Sequence, residues 1–298
     1  MSQVNVGFIG LGLMGAAMVG RLQDKGYPVT VVANRSREAV DAAIARGATE
    51  VSTAREVAAN SDIVMLCMDT SASVESRMRG DDGVIAGLQA GATVIDFGTS
   101  LPSSTRELAK EVAAAGGQYL DGPLGRTPAH AKDGLLNIMA AGDEAAFNKI
   151  KPVLQDLGEN VFHLGASGSG HTIKLMNNFL GVTTANAVSE IFVMADLAGI
   201  PRDVVYEVMA AGPLHSGMMG FVKGYAVDGD AAQLAFAIKN AAKDIGYYDS
   251  MVKDSGSESA IAPAVICAMT DAISQGRGDA MLSEMVDYYA GRAAANDD

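Results

Sequence analysis

Tryptophan is missing from the chain, and aromatic residues make up only 5% of its 298 positions. Large aromatic wedges therefore cannot organise the core. Alanine, valine, leucine and methionine must fill it, which suits helices laid closely on helices or on a sheet. Cysteine occurs twice, with no C-x-x-C and no metal spacing, which excludes a disulfide scaffold and a thiol-ligated metal centre. Cys67 in IVMLCM and Cys267 in AVICAM read as reduced core residues. Histidine is scarce too, and His130, His163 and His215 share no metal-ligand spacing. Positive charge is the minority: 22 Lys and Arg against 35 Asp and Glu give a net charge of −13. Such a surface repels phosphate backbones and argues against a nucleic-acid partner. No apolar run reaches the roughly 18 residues of a membrane span. No signal-like segment precedes VNVGFIG at residues 4–10, so a cytoplasmic chain without membrane contact is expected.

What is present is a globular composition, 49% hydrophobic and 19% charged. Short apolar runs at 4–10, 28–33, 62–68, 92–98, 117–122, 135–142 and 160–165 read as strands. Amphipathic stretches at 14–25, 37–46, 103–115 and 143–156 lie between them. Strand–helix alternation with buried-looking, β-branched strands predicts an α/β fold with a Rossmann-type doubly wound sheet. After Gly165 the strand pattern stops, and helical patterns follow at 167–198, 201–211, 231–253, 258–275 and 279–291. The expected organisation is a dinucleotide-binding domain over 1–165 and an all-helical substrate and dimerisation domain over 166–298. Its first long helix would connect the two.

GLGLMG, comprising Gly10, Leu11, Gly12, Leu13, Met14 and Gly15, fits G-x-G-x-x-G between a strand and a helix. Gly10 permits the tight turn, Gly12 lets the backbone approach a pyrophosphate, and Gly15 allows close helix–strand contact. The helix N-terminus supplies free N–H groups for the anion. An NAD site of this kind carries a carboxylate about 20 residues further on, to hold the ribose 2′-OH. Here VVANRSREA puts Asn34 at that place, followed by Arg35, Ser36 and Arg37. With no carboxylate to repel a 2′-phosphate and two guanidiniums to bind it, NADP(H) is favoured over NAD(H).

In HTIKLMNN, residues 171–178, Lys174, Asn177 and Asn178 stand at i, i+3 and i+4, on one helix face. Spacing alone leaves two readings, a solvated stripe or a catalytic face. The segment 122–134, GPLGRTPAHAKDG, is a loop by composition, with Arg126 between Gly125 and Thr127. Taken alone, Arg126 is a surface charge; an anion clamp is the alternative.

Together these segments resemble the β-hydroxyacid dehydrogenases, the group that includes 3-hydroxyisobutyrate dehydrogenases and tartronate semialdehyde reductases. FIGLGLMGAAM resembles their start, DFGTS (96–100) the segment whose Thr lies over the nicotinamide, KLMNN their K-x-x-N-N run, and KNAAKDIG (239–246) their late K-D motif. The likeness spans essentially the whole chain. It implies Lys174 as general acid for carbonyl reduction, with Asn178 orienting the carbonyl oxygen or the lysine. Thr99 and Lys243 would stand near the nicotinamide, and Met68, in the MLCMD segment, would line the cofactor site. It also implies a homodimer or homotetramer.

The loop departs from most of the family, which carries Ser-Gly-Gly where this chain has Gly125-Arg126-Thr127. That replacement resembles the sulfolactaldehyde reductases. It implies that Arg126, Thr127 and Asn177 hold a small anionic substrate, with 3-sulfolactaldehyde reduced to 2,3-dihydroxypropane-1-sulfonate as the leading expectation. A carboxylate-specific relative, acting on 3-hydroxyisobutyrate, succinate semialdehyde or tartronate semialdehyde, is an alternative. An imine reductase is another, although those enzymes generally lack the K-x-x-N-N run. A non-catalytic nucleotide-binding scaffold would have lost the lysine. Cys67 stands where the family often has proline, and nothing in the sequence gives that exchange a function. His171, one turn before Lys174, is expected to serve the helix start.

Overall fold

The structure, a computed structural model, describes residues 4–34 and 37–294. Arg35 and Ser36 lie outside the described residues. The chain divides into two compact units, 1–174 and 175–298.

The first unit alternates strands and helices. In chain order these are β1 (Val6–Ile9), α1 (Leu13–Asp24), β2 (Val29–Val32), α2 (Glu38–Ala45), β3 (Thr49–Val51), α3 (Ala54–Ala59), β4 (Ile63–Leu66), α4 (Ser71–Met78), α5 (Val84–Gly87), β5 (Thr93–Asp96), α6 (Pro102–Ala114), β6 (Gln118–Asp121), β7 (Leu124–Gly125), α7 (Pro128–Asp133), β8 (Leu136–Ala140), α8 (Glu144–Leu157) and β9 (Gly158–His163). The first six strands form one parallel sheet in the order β3-β2-β1-β4-β5-β6. This is the doubly wound arrangement expected, with its order reversing between β1 and β4.

Side-chain alternation explains why helices cover both faces. Phe8, Val31 and Met65 pack on Met18 and Leu22 of α1 and on Ile150 of α8. Their neighbours Ile9, Val32, Val64 and Leu66 point the other way, onto Val57 of α3, Val74 of α4 and Leu108 of α6. A strand buried on both sides must be apolar at every position, so its sequence reads as a continuous run. The strands at 135–142 and 160–165 do not extend this sheet. They form a separate three-stranded sheet, β7-β8-β9, in which β7 and β8 are antiparallel and β8 and β9 parallel.

Helix α9 (Ser169–Leu197) leaves the first unit and enters the second. The units divide within this helix, further along than the change of pattern near 165, because its first turn is packed in the first unit. The second unit adds α10 (Arg202–Ala210), α11 (Gly217–Ala226), α12 (Ile238–Asp254), α13 (Ala262–Ala272) and α14 (Met285–Ala294). Its core comprises Val182, Phe192, Ile245, Met269, Met285 and Tyr288, among others. Phe179 and Tyr248 stack at 4.1 Å on the edge of that core.

Two expectations need correction. As a helix, α9 is long and apolar enough to cross a membrane by length and composition, although the sequence holds no uninterrupted run of that size. Core helices pass the same test, and Val182, Ala185, Val188 and Phe192 are buried in the second unit. Cys267 is exposed rather than in the core, because α13 buries Val265, Ala268 and Met269 and turns Cys267 away from them. Cys67 is partly buried, and burial together with the Asp96 carboxylate pushes its thiol up to about 12.

Candidate active site

The glycine turn between β1 and α1 has the geometry its spacing requires. Gly10 has φ +101°, and a Cβ there would lie 2.4 Å from the Cys67 carbonyl oxygen. A Cβ on Gly15 would lie 2.0 Å from the Gly10 oxygen, so helix and strand touch there. Gly12 is different: nothing stands within 4 Å of the space a Cβ would take. It is the N-cap of α1 and carries no side-chain cap, so the first amides of the helix lack the usual hydroxyl or carboxylate partner. Open space in front of uncapped amides is a cradle for a phosphate. Leu11 and Met14 are half-buried, and Leu13 is 82% exposed at the helix start. Met68 places its sulfur 2.9 Å from where a Gly10 Cβ would be, so it borders the turn. These residues fit a dinucleotide pyrophosphate.

Asn34 is exposed just beyond β2, and its Oδ1 accepts from Arg77 of α4 at 2.8 Å. Arg37 is held by carboxylates: it donates to Glu50 at 2.5 Å and to Asp41 at 2.7 Å. Those two bonds raise its pKa further.

At the carboxyl ends of β5 and β6 stand two fully buried aspartates that the sequence reading did not single out. Asp96 accepts from the Gly98 amide and the Ser100 hydroxyl, both at 2.8 Å, and so shapes the turn that carries the half-buried Thr99. Asp121 accepts from the amides of Gly168 at 2.8 Å and His171 at 2.9 Å. It therefore caps α9 from another element. His171, fully buried, meets the Thr105 hydroxyl through Nδ1 at 2.7 Å and lies 3.7 Å from Asp96 through Nε2. Burial and the nearby carboxylates of Asp96, Asp121 and Glu75 raise the Tyr119 phenol well above its ordinary range. The sequence signal was there: VID and YLD each end an apolar strand on a carboxylate.

One turn after His171, Lys174 donates from Nζ to the Leu124 carbonyl of β7 at 2.8 Å. The following residues are the loop that began as an ambiguity. Arg126 has φ +77°, the one positive φ among described residues other than glycine. Its NH1 donates to the Leu135 carbonyl at 2.7 Å and to Glu159 at 2.5 Å, and its side chain is 31% exposed. Thr127 opens α7, with its hydroxyl 2.8 Å from His130 Nδ1. The first unit thus brings together the ammonium of Lys174, the strand leading to Arg126, and the loop itself.

In the second unit, Asn178 donates from Nδ2 to Asp244 Oδ2 at 2.6 Å. Lys243 pairs with the other oxygen of Asp244 at 3.0 Å and lies over the Tyr247 ring at 5.4 Å. Asp244, buried on α12, links the helix asparagine to the late lysine. The sequence named it within the K-D motif but gave it no task. Asn177 is exposed on α9, apart from this link.

Two family models match the chain. One, the NAD-binding domain of 6-phosphogluconate dehydrogenase, covers residues 5–165. The other, the NAD-binding domain of NADP-dependent 3-hydroxyisobutyrate dehydrogenase, covers 168–289. The chain is 34% identical to a 2-(hydroxymethyl)glutarate dehydrogenase from Eubacterium barkeri, over 92% of its own length and 89% of that relative. It is 31% identical to a 3-sulfolactaldehyde reductase from Escherichia coli, over 81% of its length and 80% of that relative. A solved 3-hydroxyisobutyrate dehydrogenase from Salmonella typhimurium superimposes with a TM-score of 0.83 at 28% identity, covering 96% of this chain and 99% of that one. With the phosphate cradle, the doubly wound sheet and both family models agreeing along nearly its full length, the chain belongs to the β-hydroxyacid dehydrogenase family, NAD(P)-dependent oxidoreductases that act on CH–OH groups.

Proposed function

We propose that this enzyme reduces a small anionic aldehyde with NADPH, and that 3-sulfolactaldehyde, giving 2,3-dihydroxypropane-1-sulfonate, is its substrate. The observation that carries this reading is the tie between Lys174 and Leu124. It sets the proton donor against the strand that runs directly into Gly125-Arg126-Thr127. A cation for the developing alkoxide and an arginine for the anionic tail then arise from one stretch of backbone.

The bound nicotinamide supplies the hydride. Lys174 hydrogen-bonds the carbonyl oxygen and gives it a proton as negative charge develops there. Asn178, its carboxamide fixed by Asp244, orients the oxygen or the lysine. Thr99 and Lys243 hold the cofactor near its reactive ring. Arg126 grips the sulfonate with the nitrogens not engaged by Leu135 and Glu159, and Thr127 and Asn177 add hydrogen bonds. An NADP(H) preference follows from the uncharged Asn34 at the end of β2.

A carboxylate substrate is the second reading, and a relative favours it. 2-(hydroxymethyl)glutarate, the substrate named for a 34%-identical relative, is a dicarboxylate, and one guanidinium binds a carboxylate as well as a sulfonate. A panel of 3-sulfolactaldehyde and succinate, methylmalonate and tartronate semialdehydes, each with NADPH and NADH, separates the readings by kcat/KM. A higher value for any carboxylate substrate than for sulfolactaldehyde overturns the first. The enzyme works in the cytoplasm, as a homodimer or homotetramer joined through its helical unit.

A further inference from the structure

We infer that Arg77 is the residue by which this enzyme selects a 2′-phosphorylated nucleotide, both through its own guanidinium and by fixing which way Asn34 faces. The inference rests on the NADP(H) preference proposed above and names the groups that produce it.

Of the two guanidiniums that the sequence offers here, Arg35 lies outside the described residues, and both terminal nitrogens of Arg37 are engaged. One faces Glu50 and the other faces Asp41 and Glu50. Two carboxylates around one guanidinium leave a local negative excess, a poor place for a phosphate dianion. Arg77 comes from α4, 43 residues from Asn34 in sequence. Among the described residues no carboxylate lies within ion-pair distance of it, and its charge remains available.

The geometry of the Asn34 contact decides the chemistry. A guanidinium has donors only, so the asparagine must turn its oxygen toward Arg77, as the 2.8 Å contact records. Its Nδ2 is then directed elsewhere, with two N–H groups and no hydrogen-bond partner among the described residues. The pair therefore presents donors alone at the end of β2. A site for an unphosphorylated ribose reads its 2′-OH with a carboxylate, which accepts the hydroxyl hydrogen. A phosphate oxygen only accepts. Donors without an acceptor, backed by a full positive charge, match a phosphate and leave the hydrogen of a 2′-OH with nothing to accept it. Asn34 thus does more than omit a repulsive carboxylate: oriented by Arg77, it becomes a phosphate ligand.

Calorimetric titration of the full-length enzyme with 2′,5′-ADP and 5′-AMP tests this without turnover. The wild type should bind 2′,5′-ADP more tightly. Arg77→Gln should weaken 2′,5′-ADP by about 10- to 100-fold, the range for one lost charge-assisted bond, and leave 5′-AMP within about twofold. Arg77→Lys keeps the charge but not the fork and should fall between. Asn34→Asp still accepts from Arg77 but sets a carboxylate against the phosphate, and should abolish the preference. Unchanged melting temperatures confirm that the variants are folded. If the wild type prefers 2′,5′-ADP and Arg77→Gln keeps that preference, the inference fails while the NADP(H) reading stands. Equal weakening of both ligands by Arg77→Gln makes Arg77 a general support of the adenosine site and also overturns it. A wild type that binds both ligands equally removes the NADP(H) reading and this inference together.

Discussion

At the scale of single residues, two charges carry the proposed chemistry. Lys174→Ala removes the proton donor, and general acid catalysis is worth about 10²- to 10⁴-fold. The expected kcat loss lies in that range, with NADPH affinity retained in a binding titration. A loss below about threefold would exclude Lys174 from proton transfer. Arg126→Ala should cost roughly 10- to 150-fold in kcat/KM on an anionic aldehyde, and far less on an uncharged one of similar size. Arg126→Lys should already be weaker than wild type, because it keeps the charge and loses the fork. Glu159 supplies the converse. It holds Arg126 NH1 at 2.5 Å and offsets part of its charge, so on the proposed role of Arg126 the substitution Glu159→Gln should lower KM for the anionic substrate. An increase in KM instead would mean that Glu159 positions the arginine rather than competing for it. The glycines, Lys174 and Arg126 were visible in the sequence because each sits in a local pattern. The tasks of Asp121, Asp244 and Arg77 were not. Their partners lie 50, 66 and 43 residues away in the chain, and no spacing rule reaches that far.

At the scale of elements, burial on both sides made the central strands legible. β1 and β4 carry no polar side chain, β5 is buried at every position although it begins on Thr93 and ends on Asp96, and all three are bounded by turn residues. β3 escaped notice because it is a three-residue edge strand, TEV, with two exposed positions. β7 did so because it has two residues inside a glycine-rich loop. The separate second sheet was also illegible, since strand composition does not say which neighbour a strand chooses. The start of α9 depends on a carboxylate from β6. Asp121→Ala leaves the Gly168 and His171 amides without their acceptor, and a lost helix cap costs about 0.5–2 kcal/mol. Denaturant unfolding should show a loss of that size, and kcat should fall because Lys174 sits one turn further on. Unchanged stability would mean that the helix start is held elsewhere. Asp121→Asn keeps one acceptor and should lose less.

For the whole molecule, the helical unit exposes large apolar side chains close together. Met194 is 57% exposed and Leu197 60%, and both line a groove of about 410 Å³ with Val265, Ala268 and Tyr289. On the assembly proposed above, a second copy would cover this face, closed dimers being the commonest assembly. The double substitution Met194→Glu, Leu197→Glu should shift the mass measured by light scattering from an oligomer to a single chain. A wild type that is already a single chain at micromolar concentration would refute the assembly.

The unbroken run of α9 also bears on how such enzymes can diversify. A recombination joint in the loop before Ser169 would pass Lys174, Asn177 and Asn178 to the incoming half as one intact helix. The arginine loop would stay behind with the nucleotide half, as would the Asp121 carboxylate that receives the helix. On the roles proposed above, the acid would be inherited with Asn177 and apart from Arg126. A lineage could exchange one without rewriting the other, keeping the proton chemistry constant while new acidic tails are tried against it.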